Sequence, residues 1–170
     1  MKQKNFPRYP DISYLREKAR RTIPRFAFDY VDGACNSERN LRRNTEEIRE
    51  IQLKPVYIKD AGEPNLETEL FGHTYSAPFG VSPVGLQGLI WPRATEILAK
   101  AAHDANIPFC LSTVATADLE TVAEITEGKA WFQLYHPAED SLRDKLLKRA
   151  EEAGYPALIV LADVPAFGYR

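Results

Sequence analysis

From residue 78 onward the sequence predicts an α/β fold in which buried parallel strands alternate with amphipathic helices. Two observations carry that prediction. Four short apolar runs, FGVSPV (79–84), IPFCLST (107–113), AWFQLY (130–135) and ALIVLAD (157–163), lack the polar alternation of a half-exposed strand, as strands covered on both faces do. The segments between them carry apolar residues at helical spacing, and successive runs lie roughly 22 to 30 residues apart, enough for one right-handed crossover each.

Taken in order, the first 77 residues form a helical prelude. Asp11 is placed to cap a helix carrying Leu15 and Ala19, and Pro24 to open a second that runs through Tyr30 and stops at Gly33. SERNLRRNTEEIREI (37–51) reads as a third helix. LETELFGHTYSAP (66–78) alternates around Phe71-Gly72-His73 and reads as a hairpin, placed to plug the bottom of a barrel. The first apolar run then breaks at Pro83 and Gly85, and the chain restarts as a helix after Pro92. In RATEILAKAAHDAN (93–106), Ile97, Leu98, Ala101, Ala102 and Ala105 are expected inward; in TADLETVAEIT (116–126), Leu119, Val122, Ala123 and Ile125. EDSLRDKLLKRAEEAG (139–154) buries Leu142, Leu146, Leu147 and Ala150 and ends at Gly154, suited to the left-handed position after a helix. The division expected is therefore 1–77 for the helical extension and hairpin, and 78–170 for the βα units.

Composition narrows the function. The 170 residues are 44% hydrophobic and 27% charged, ordinary globular proportions. With 22 Lys and Arg against 24 Asp and Glu, the net charge is -2 and no basic block stands out, which argues against a nucleic-acid partner. Cys35 and Cys110 share no metal-ligand spacing, so neither a disulfide framework nor a metal site is expected. No apolar stretch follows the N-terminal charges, so a cytoplasmic location is expected.

Ligands of parallel α/β assemblies sit at the carboxyl ends of the strands. Here those ends read Ser82-Pro83-Val84-Gly85, Ser112-Thr113, Gln133-Leu134-Tyr135 and Asp163-Val164-Pro165. Pro83 and Gly85 alone would only mark a turn, and Ser112 could cap a helix. Gln133 inside WFQLY is different, because an amide in an apolar strand must find partners or cost roughly 1 to 3 kcal/mol. Tyr135 projects to the same side. Hydroxyls, an amide and exposed main chain around a flat apolar surface suit a planar heterocycle.

Five stretches resemble, in order, the FMN-dependent 2-hydroxy acid dehydrogenases and oxidases: FDYVDGA, NTEEIREIQLKPVYIKD, the run from Ser76 to Thr113, WFQLYHP and RAEEAGYPALIVLADVPAFGYR. The resemblance implies a TIM (β/α)8 barrel of which this chain covers about the first four units, with FMN as cofactor and a small 2-hydroxy acid of the lactate, glycolate or mandelate class as substrate. It implies that Pro83, Val84 and Gly85 lay main chain against the flavin near N5, and that Ser112 and Gln133 bind the flavin. It also implies that Tyr30, Tyr135 and Arg170 hold the substrate; without it, Tyr30 would read as a core aromatic and Arg170 as a solvated terminal charge.

Two positions depart from the family pattern. Leu161 stands where a threonine commonly contacts the flavin, and Val114 where some relatives carry a large aromatic. None of His73, His103 and His136 matches the family's general base, which is expected beyond residue 170, with the other half of the barrel. No catalytic residue is therefore assigned within the chain, and the chain alone is expected to be inactive. The complete enzyme is expected to be a homo-oligomer, with peripheral membrane association open. The rival expectation is a non-catalytic half-barrel, either a pseudo-enzyme or a self-associating structural module.

Overall fold

The computed structural model describes residues 9–58 and 62–162. The chain divides into two compact units, one ending at Val56 and the other beginning at Tyr57. In the first, helices α1 (Ile12–Thr22), α2 (Arg25–Asp32) and α3 (Arg39–Glu50) form where capping and periodicity predict them. The Asp11 carboxylate accepts from the Ser13 N–H at 2.8 Å, satisfying one of the donors that a helix start leaves open. Pro24 precedes α2 and Gly33 ends it; a Cβ at Gly33 would lie 2.7 Å from the Asp29 carbonyl oxygen. Arg16 grips Asp32 through both carboxylate oxygens, tying α1 to α2.

The second unit begins with the predicted hairpin, β1 (Thr68–Leu70) against β2 (His73–Tyr75), with Thr68 opposite Tyr75. Phe71 and Gly72 form its two-residue turn, both with positive φ (50° and 77°), the geometry that matches the twist of the strands. There follow α4 (Gln87–Ile90), α5 (Ala94–Asp104), β3 (Cys110–Ser112), α6 (Leu119–Ile125), β4 (Trp131–Leu134), α7 (Asp140–Glu152) and β5 (Leu158–Val160). β3, β4 and β5 are parallel neighbours in sequence order, with Ser112 opposite Gln133 and Gln133 opposite Ile159. The first strand, expected over 79–84, is reduced to one parallel bridge between Val81 and Phe109. Pro83 cannot donate to a ladder, and Gly80 runs so close to its neighbour that a Cβ would meet the Pro108 carbonyl oxygen at 2.5 Å. The described residues thus hold three βα units and a fourth strand, the order of the first half of a (β/α)8 barrel.

The core lies between the outer face of this sheet and α5, α6 and α7. Phe109, Leu111, Phe132 and Leu134 meet Ala99, Ala102, Leu119, Val122 and Ala150. On α6 the expected face is the buried one. On α5 only Ala102 of the expected face is buried, with Thr95 and Ala99 beside it, whereas Ile97 and Leu98 are 53% and 38% exposed, Ala101 is exposed and Ala105 half-buried. Three small side chains on one face let the helix backbone approach the strands closely, which leaves the bulky residues on its flank. α7 meets the core through Leu146, Leu147 and Ala150, so Leu142, in its first turn, is exposed. Gly154 stops α7 with φ 82°, the left-handed conformation expected of it.

The hairpin sits against the amino ends of the strands. The Tyr75 hydroxyl donates to the Lys129 carbonyl oxygen (3.2 Å) and accepts from the Trp131 indole N–H (3.2 Å). Phe71 packs edge-on against Trp131 with ring centres 5.1 Å apart. Asn106 closes the contact, donating from its amide to the Thr74 carbonyl and accepting at its own carbonyl from the Ser76 N–H.

Candidate functional site

Strand alternation sorts the side chains of the sheet into two sets. Phe109, Leu111, Phe132 and Leu134 belong to the helix-covered core. Cys110, Ser112, Trp131, Gln133 and Ile159 therefore face what would be the barrel interior. The amino half of that interior is an open cavity of about 330 Å³ whose wall includes Leu70, Gly80, Pro83, Cys110, Trp131 and Ile159. Burial in this wall pushes the Cys110 thiol from its ordinary 9.0 up to about 11, because the apolar surroundings disfavour the thiolate.

Two residues further along the same strands, Ser112 and Gln133 lie side by side, 4% and 1% exposed. The Ser112 hydroxyl donates to the Gln133 amide oxygen at 3.0 Å and accepts a long contact from the Val114 N–H at 3.4 Å. That bond fixes which way the amide faces, so its nitrogen is held as a donor. The nitrogen, Nε2, is buried and has no partner. Leaving such a group unpaired costs about 1 to 3 kcal/mol, which a bound acceptor would recover. Tyr135, 36% exposed, follows at the exit of β4.

The segment Pro83-Val84-Gly85 leads from the Val81 bridge into α4. Two hydrogen bonds moor α4 to the exit of β3, Leu86 N–H to the Val114 carbonyl (2.9 Å) and Gly88 N–H to the Thr116 hydroxyl (3.0 Å). A side chain at Gly88 would strike that hydroxyl at 2.6 Å. Gln87, 2% exposed, buries its amide oxygen Oε1 without a partner. Sequence reading missed both α4 and Gln87; the signal available was a second glutamine two residues after Gly85 in an otherwise apolar run.

The structure thus gathers Ser112, Gln133 and Tyr135 at adjoining strand exits and puts Pro83 on the neighbouring cavity wall. Leu161 continues past β5, its N–H donating to the Leu134 carbonyl at 3.3 Å. Tyr30 lies on α2, in the other compact unit. Arg170 falls outside the described residues. His73 opens β2, His103 occupies the last turn of α5 with Nε2 3.9 Å from the Glu127 carboxylate, and His136 follows β4. A planar group bringing an acceptor to Gln133 and lying on the small residues at 83 to 85 fits these donors. Among the described residues no helix is long and apolar enough to cross a membrane.

The family model described as FMN-dependent dehydrogenase matches residues 19–170. An L-lactate dehydrogenase of Caulobacter sp. (strain K31) is 41% identical over 156 residues, which are 92% of this chain and 41% of that protein. An L-lactate dehydrogenase of Pseudomonas syringae pv. syringae (strain B728a) is 39% identical over 93% of this chain and 42% of its own. Among solved structures, a mandelate oxidase superposes with a TM-score of 0.90 at 31% identity, covering 95% of this chain and 47% of that one. A mandelate oxidase variant carrying a C4a-OH-FMN adduct superposes with a TM-score of 0.87, also at 31% identity, over 92% of this chain and 47% of its own. The chain spans less than half the length of each of these relatives.

Proposed function

Because the chain belongs to the FMN-dependent dehydrogenase family, we propose that it contributes one wall of an FMN site in an enzyme that oxidises a small 2-hydroxy acid to the 2-oxo acid. The observation that carries this reading is the buried, unpartnered Nε2 of Gln133, aimed by Ser112. When bound, FMN supplies the acceptor for the hydride equivalent leaving the substrate α-carbon. The protein's own residues then have distinct tasks. Pro83, Val84 and Gly85 offer small, rigid main chain against the ring. Ser112 orients Gln133, and Gln133 donates to the pyrimidine edge. Tyr30 and Arg170 hold the substrate carboxylate, Arg170 through the two-pronged geometry for which guanidinium is suited, and Tyr135 contacts the substrate beside the flavin. Leu161 offers the flavin no side-chain hydrogen bond, so the contact that a threonine commonly makes there is lost or supplied by main chain.

On this reading residues 78–170 are the barrel portion and 1–77 its prelude. The proton from the substrate hydroxyl goes to a base outside residues 1–170, since none of His73, His103 and His136 stands where the family pattern places its base. The complete enzyme is a cytoplasmic homo-oligomer. The test is anaerobic mixing of the complete protein, loaded with FMN, with lactate, glycolate and mandelate. Bleaching of the yellow flavin by at least one of them is expected; a protein that binds no FMN, or whose flavin none of the three reduces, overturns the reading.

A second reading, a self-associating half-barrel without catalysis, is favoured by one observation. Leu158 and Val160 share a sheet face with Phe132 and Leu134 yet are 43% and 61% exposed. Sedimentation of residues 1–170 distinguishes it, because a stable dimer that binds no flavin is expected only there.

A further inference from the structure

We propose that Thr113 is a positioning residue for substrate binding, acting through Tyr135. The inference rests on the reading above for the role of Tyr135, and on the hydrogen-bond pattern for everything else.

In a parallel ladder every second residue of a strand bonds to a given neighbour, its N–H to the residue before the partner and its C=O to the residue after, so the rungs advance two residues at a time. Between β3 and β4 the rungs proceed in that way: Trp131 N–H to the Phe109 carbonyl (2.8 Å), and Thr113 N–H to the Gln133 carbonyl (2.9 Å). The next rung would run from the Tyr135 N–H to the Thr113 carbonyl. Instead, the Tyr135 N–H donates to the Thr113 side-chain oxygen, Oγ1, at 3.0 Å. The chain turns away from the sheet at Thr113 and Val114, so the hydroxyl takes the place that a carbonyl would hold in a continuing strand. Its own proton goes to the Gln133 carbonyl oxygen, which already accepts from the Thr113 N–H.

One hydroxyl therefore clamps the main chain on both sides of Leu134. It extends the ladder by one rung past the end of β4 and fixes the direction in which Tyr135 leaves the sheet. Threonine suits this place because its β-branch restricts χ1, so the hydroxyl is held in position beforehand. The Gln133 side chain is oriented by a separate donor, Ser112. Loss of the Thr113 hydroxyl should thus disturb Tyr135 and leave the flavin contact largely intact.

The test uses the complete FMN-loaded protein and a non-reacting dicarboxylate, oxalate, whose binding is read from the change in the flavin absorption spectrum. Thr113→Val, nearly isosteric, is expected to weaken oxalate binding and raise KM for the 2-hydroxy acid by about fivefold to tenfold, the scale of one lost hydrogen bond. The FMN dissociation constant and kcat should change less than threefold, and Thr113→Ser should restore most of the affinity. In a Tyr135→Phe background the effect of Thr113→Val should shrink to within twofold, because the group it positions is already gone. If the valine variant does not accumulate as yellow protein, the pair Thr113→Ala and Thr113→Ser makes the same comparison. Unchanged oxalate affinity in the valine or alanine variant, no rescue by serine, or an undiminished effect beside Tyr135→Phe each overturns the proposal. A wild-type protein without FMN or without turnover sinks the functional reading instead, so the two failures are separable.

Discussion

The two ends of the strands are built on opposite plans. At the amino end, the hairpin brings Tyr75, 1% exposed, into a closed set of bonds in which its hydroxyl both donates to Lys129 and accepts from Trp131, with Phe71 packed across the indole. At the carboxyl end, two buried amides each lack a partner, Nε2 of Gln133 and Oε1 of Gln87. Apolar side chains are also left open there: Leu86, Val114 and Tyr135 are 39%, 45% and 36% exposed. The first end is satisfied and the second is waiting. Stability is concentrated where the barrel is plugged, and binding capacity where polar groups are left unpaired, the division that barrels of this kind use.

The comparison can be broken most directly at Tyr75. Tyr75→Ala removes a fully buried ring and both of its hydrogen bonds, so the complete protein should lose about 3 to 5 kcal/mol in urea unfolding. Flavin affinity per folded molecule should stay within a few fold. A loss below about 1 kcal/mol would mean that the hairpin does not anchor the amino end.

Gln133→Leu probes the other end. It removes an unpaired buried donor together with one good bond to Ser112, so the flavin-free protein should stay within about 1 kcal/mol of wild type. FMN affinity should instead fall by about tenfold to a hundredfold, measured by fluorescence titration. Equal losses of stability and affinity would erase the contrast between the two ends.

The smallest effect is expected from pH. The folded state raises the Cys110 thiol from 9.0 to about 11 and pushes the Tyr155 phenol upward as well, in both cases mainly through burial. Groups whose acid form is favoured by folding hold their protons more tightly when folded. Their contribution is complete below the unfolded values and declines as pH rises, for Cys110 between about 9 and 11. Urea midpoints should thus be level from pH 7 to 8 and drop above pH 9, and Cys110→Ala should flatten the first part of that drop.

How far the sequence foretold this arrangement depends on what each residue signals locally. Asp11, Pro24, Gly33 and Gly154 announced helix ends because capping and left-handed turns are short-range chemistry. Ser112 and Gln133 stood out because polar groups in an apolar strand require partners. α5 was misjudged because hydrophobic spacing alone cannot tell that Thr95, Ala99 and Ala102 form the close-packing face while Ile97 and Leu98 flank it. The first strand was overestimated, since Gly80 and Pro83 restrict its pairing to Val81. Thr113 gave no warning: a side chain that substitutes for a carbonyl becomes visible only when the path of the chain is known.

The sequential order of the parallel strands has a kinetic consequence. Each strand pairs with the one delivered just before it, across α4 and α5 for Val81 and β3 and across one helix for β3 to β4 and β4 to β5, so loop-closure entropy stays modest at every step. The sheet can grow in the order in which the ribosome releases it, with Val81, β3, β4 and β5 added one after another, each covered by its helix before the next arrives.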